Sequence, residues 1–122
     1  MSNPGLSGFV RLDERDAPAL LERMTKDALG IDAERYGIRS RLIAKPESSI
    51  ADLAVATVEK LLTVTGVAHD DVSAVVLSSR SQEIGPLAEE TAARLGMETS
   101  AALGIERACS GFPAAVEQAT KL

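Results

Sequence analysis

The sequence predicts an α/β domain with a mainly parallel sheet, and three observations lead there. Short apolar runs alternate along the chain with segments of helical period. Gly30, Gly66 and Gly96 each stand where a helical pattern stops. The chain has 122 residues, of which 45% are hydrophobic, enough to bury one core and too few for more than one ordinary domain.

Taken in order, Gly8 to Leu12 reads as a short strand. Asp16 reads as the cap of a first helix, with Pro18 in its opening turn and Leu20, Leu21, Met24 and Leu29 along one side. Gly37 to Ala44 alternates apolar and basic residues and reads as extended, with Arg39 and Arg41 on one face. Ser49 reads as an N-cap, with Asp52 three residues later as a weak capping-box partner. Behind it Ile50, Leu53, Ala54, Thr57, Val58, Leu61 and Leu62 recur at helical spacing, the clearest amphipathic helix in the chain. Val72 to Ser78 reads as a buried strand. Pro86 opens a helix carrying Leu87, Ala88, Ala92 and Leu95, and Ala101 to Ile105 is a short strand of small residues. Ser110 to Leu122 is helical in pattern and rich in alanine. It stops at Leu122 without glycine or polar tail, which points to a piece of something longer.

Composition excludes several classes of function. The net charge of −5 gives no electrostatic footprint for nucleic acid, and three aromatic residues (Phe9, Tyr36, Phe112) provide no stacking platform. No apolar run reaches the ~18–20 residues of a membrane span, and Met1 to Gly5 is no signal peptide, so a cytoplasmic protein is expected. A single cysteine, Cys109, and a single histidine, His69, leave no disulfide framework, cysteine-cluster metal site or self-contained catalytic triad. No phosphate-binding glycine loop exists. Neither a metal nor a cofactor is expected. The adjacent carboxylates Asp13-Glu14, Asp70-Asp71 and Glu89-Glu90 read as solvated surface, because neighbours in sequence do not face one another on a helix. His69 reads as a surface loop residue.

The chemistry concentrates in Glu106 to Pro113. There a cysteine falls between a strand pattern and a helix pattern, beside Gly111. Unpaired N–H groups and partial positive charge at a helix start favour thiolate over thiol. The same donors suit a thioester oxyanion. Two fates fit Cys109 on this local logic: an activated nucleophile, or a small buried hydrophobe.

Three segments in register carry a family resemblance. Tyr36-Gly37-Ile38-Arg39-Ser40-Arg41-Leu42-Ile43-Ala44 resembles a T-G-I-R-x-R-x-I-A motif. Val75 to Ser79, then Pro86-Leu87-Ala88 and Leu95-Gly96, follows the same family's strand, loop and helix. Ala108-Cys109-Ser110-Gly111-Phe112 resembles its nucleophile motif, A-C-A/S-G-F. Order and spacing agree without gaps from about Ile31 to Leu122, with a looser match and a shortened opening strand before it. The family is β-ketoacyl-acyl-carrier-protein synthase III, within the thiolase superfamily.

The resemblance implies the N-terminal part of a thiolase-like fold over residues 1–122, with a mainly parallel mixed sheet and a buried helix after the nucleophile. It implies that Cys109 accepts an acyl group as a thioester from acyl-carrier protein or acyl-CoA. Decarboxylative condensation or simple acyl transfer would follow, in fatty-acid or polyketide-type biosynthesis. It places Arg35, Ile31, Gly85 and Phe112 at substrate. Arg35 would lie beside the nucleotide or carrier-arm entrance, although a solvated surface arginine is an equal reading. Ile31 stands where many members stack a tryptophan on adenine. Gly85 stands where several carry an aromatic that lines the partner subunit's acyl pocket. The family's catalytic His and Asn lie in a C-terminal half that this sequence does not contain. That half is expected in another chain or in a segment outside this sequence, and the complete enzyme is expected to be a homodimer. The rival expectation is a non-catalytic half-domain that pairs with and shapes an active partner.

Overall fold

The structure is a computed structural model, and it describes residues 8–30, 34–80, 83–97, 101–107 and 110–122. Helix α2 (Ile50–Thr65) is its longest element. The predicted capping box starts it: the Asp52 N–H donates to Ser49 Oγ at 3.0 Å, and the Ser49 N–H donates to Asp52 Oδ2 at 2.8 Å. Gly66 ends it in the left-handed conformation (φ 74°), its N–H returned to the Leu62 carbonyl at 2.8 Å. Strand β3 (Ala74–Ser79), helix α3 (Ile84–Arg94) and strand β4 (Ala101–Glu106) then form a βαβ unit. The two strands run parallel, from Ala74 opposite Ala101 to Ser79 opposite Glu106.

The core lies on the helix side of this sheet. Leu62 of α2, Ala92 and Leu95 around the end of α3, and Met97 pack together, with Val55, Val58, Val75 and Ala102 against them. Of the stripe expected along α2, Val58 and Leu62 reach this cluster, Leu61 borders a cleft instead, and Val55 and Met97 join the cluster from outside the expected set. Gly104 sets how closely α3 approaches β4: a Cβ there would sit 2.5 Å from the Ile84 carbonyl carbon and oxygen and 2.6 Å from the Gly85 nitrogen. Helix α4 (Gly111–Lys121) meets β3 and β4. Arg94 donates to Asp52 at 2.7 Å, tying α3 to the first turn of α2.

The N-terminal third departs from the sequence reading. Residues 8–12 form a loop rather than a strand. No helix starts at Asp16. Its carboxylate instead accepts the Asp13 N–H at 2.8 Å and Lys60 Nζ at 2.7 Å, which ties the loop to α2. Leu21–Thr25 is strand β1, followed by a single helical turn, α1 (Lys26–Leu29), which Gly30 stops as expected (φ 64°). β1 pairs antiparallel with β2 (Ser40–Ala44), from Leu21 opposite Ala44 to Thr25 opposite Ser40. Five ladder positions outweighed a weak local preference for helix.

Among the described residues the strands therefore form two separate two-stranded sheets, one antiparallel and one parallel, where one mainly parallel sheet was expected. β3 is half-buried throughout rather than buried, since β4 is its one strand neighbour among these residues. α4 also differs: Gly111 is buried, but Phe112, Val116 and Leu122 are exposed. α3 begins two residues before Pro86, at Ile84. No helix among the described residues is long and apolar enough to cross a membrane.

Candidate functional site at the strand ends

The parallel register brings the last residues of β3 and β4 side by side, Ser79 opposite Glu106, and the Arg107 N–H continues the ladder to the Ser79 carbonyl at 3.2 Å. Arg80 and Arg107 each follow the final residue of their strand, so the two arginines leave the same sheet edge together. In open α/β sheets this C-terminal edge is where ligands bind.

Helix α4 starts at the same edge. Its N-cap, Ser110, makes no side-chain capping bond. Gly111 lets the helix start press against β3: a Cβ on it would collide with Ser78 Oγ. The first-turn N–H groups of a helix have no intrahelical acceptor, and Pro113 has no N–H, so the donors of Gly111 and Phe112 are those available at this end. Ala108 and Cys109 lie outside the described residues, and the expected nucleophile falls there. The frame on either side of them is described: a strand ending at Glu106 and a helix opening at Gly111.

Between β3 and α4 runs a cleft of about 740 Å³. Ala74, Val76 and Ser78, alternate residues on one face of β3, form its floor, and Phe112, Ala115, Val116 and Ala119 of α4 form a wall. Ser79, Arg80 and Arg107 line the end at the strand termini, and Leu61 of α2 also borders it. The cleft is thus apolar along its length and cationic at one end.

The expected substrate residues do not all gather here. Phe112 lines the cleft, 61% exposed. Gly85 does not: it sits in the first turn of α3, and a Cβ there would meet nothing within 4 Å. Arg35 is on the one-turn 3₁₀ segment Glu34–Tyr36, exposed, with its guanidinium 6.0 Å from the centre of the Tyr36 ring, and it does not border the cleft. Ile31 lies outside the described residues. His69 opens a 3₁₀ turn ahead of β3, at the opposite end of the strand, where Nε2 is 2.9 Å from Glu59 Oε1. Its reading as a surface loop residue stands.

Sequence reasoning missed Arg80 and Arg107. The available signal was an arginine immediately after each strand run. It turns into a pair only once the strands are known to be parallel and in this register. Among the described residues, the groups with displaced pKa values lie elsewhere and serve structure. The Asp52 carboxyl is held below its usual range by the Ser49 N–H and then by Arg94. Arg23 does the same for Glu14 through contacts of 2.8 and 3.0 Å.

No family model matches the chain. Among curated proteins it is similar to the β-ketoacyl-[acyl-carrier-protein] synthase III of Rhodospirillum centenum, 38% identical over 81 residues, covering 65% of this chain and 25% of that protein. The β-ketoacyl-[acyl-carrier-protein] synthase III 2 of Streptomyces avermitilis is 37% identical over 87 residues, 70% of this chain and 28% of the relative. That of Serratia proteamaculans is 30% identical over 101 residues, 81% of this chain and 32% of the relative. The chain spans about a quarter to a third of the length of these relatives.

Proposed function

On the premise that this chain corresponds to an N-terminal portion of a β-ketoacyl-[acyl-carrier-protein] synthase III, we propose that it is the nucleophile-bearing part of a condensing acyltransferase, with Cys109 as the nucleophile. The observation that carries this reading is the A-C-S-G-F segment, Ala108 to Phe112, which follows the end of a parallel strand at Glu106 and whose last two residues open α4. That setting supplies what an acyl-accepting thiol needs: helix-end N–H groups and the cations Arg80 and Arg107 at the same sheet edge.

In this reading the Cys109 thiolate attacks the carbonyl carbon of an acyl thioester. A new C–S bond forms, the donor's C–S bond breaks, and the donor thiol leaves with a proton. A second substrate then attacks the acyl-enzyme, by decarboxylative condensation or simple transfer, in fatty-acid or polyketide-type synthesis. The base and the second oxyanion donor, a His and an Asn in this family, come from a C-terminal half in another chain or outside this sequence. The complete enzyme is a homodimer in the cytoplasm.

Incubating the protein, completed by its C-terminal half, with a donor thioester tests the nucleophile. Mass spectrometry should find an acyl adduct on the peptide holding Cys109, and Cys109→Ala should abolish it. An adduct that survives in the variant removes the assignment. The rival is a non-catalytic half that shapes an active partner, and it is separated by thiol labelling. An activated Cys109 reacts fast near neutral pH, and a structural one does not.

A further inference from the structure

We draw no further inference here: the strongest candidate, the cleft between β3 and α4 with Arg80 and Arg107 at its strand-end rim, is the uncovered side of both elements in a chain that spans about a quarter to a third of the length of its relatives, and nothing in the structure shows what covers it.

Discussion

Gly104 and Gly85 are near neighbours in space and opposite in what they tolerate. A methyl group on Gly104 would be driven into the backbone of Ile84 and Gly85, which cannot rotate away. Gly104→Ala should therefore destabilise by about 1–3 kcal/mol, read from the denaturant midpoint. Gly85 faces open space within α3, so Gly85→Ala should be neutral or stabilise by up to about 1 kcal/mol from helix propensity. Equal losses in the two variants would contradict the packing described here. On the proposed condensing reading, Ile31 stands where many members of the resembled family stack a tryptophan on adenine, so a stack worth ~1–3 kcal/mol would be absent, roughly 5- to 150-fold in affinity. A carrier-protein thioester should accordingly outperform acyl-CoA bearing the same acyl group. Equal or better use of acyl-CoA counts against that preference.

At the scale of elements, α2 depends on its first turn. Ser49→Ala removes the capping acceptor and should cost about 1 kcal/mol, measurable as a lower midpoint without loss of fold. Asp52 does more: it completes the capping box and also receives Arg94 from α3. Its folded pKa lies below the unfolded one because the ionised form accepts the Ser49 N–H and the Arg94 guanidinium. The charged carboxylate thus contributes stability that is present above the unfolded pKa. That contribution is lost as pH falls through the folded pKa, below about pH 4. Asp52→Asn should flatten the acid limb of the stability profile and lower the neutral plateau. An unchanged acid limb would show that Glu14 and Asp13, also shifted down, dominate it. β1 shows how elements are decided by partners. Leu20 to Leu29 has a helical pattern, but β2 offers five paired positions, and the Leu20 carbonyl accepts both the Lys45 N–H (2.7 Å) and the Ser48 hydroxyl (2.8 Å).

At the scale of the molecule, α4 has an uncovered apolar side. Phe112 is 61% and Val116 38% exposed, both bordering the cleft that β3 floors, and Leu122 just after the helix is 61% exposed. Contiguous apolar patches of several hundred Å² mark interfaces. The 122-residue chain alone should accordingly self-associate or bind a hydrophobic dye, melt without a sharp transition and show no turnover. Replacing Phe112 and Val116 together by serine should reduce dye binding and association. A monomer that melts cooperatively, turns over substrate and excludes the dye would overturn this expectation.

The sequence by itself determined the parts whose causes are local. The capping box at Ser49 and Asp52, the left-handed stops at Gly30, Gly66 and Gly96, and the runs that became α2, β3, α3, β4 and α4 all depend on short-range periodicity and turn chemistry. So does the placing of the A-C-S-G-F segment at a junction from strand to helix, its last two residues opening α4. The tertiary structure alone decided what depends on contacts distant in sequence. Leu21–Thr25 became a strand because β2 lies beside it. Phe112 entered the cleft while Gly85 and Arg35 stayed outside it. Arg80 and Arg107, 27 positions apart, became a pair only through the parallel register of β3 and β4. Strand pairing carries little of its own code, since the ladder bonds are made by backbone common to every residue; side-chain period fixes which face a residue takes, and the fold fixes what stands opposite.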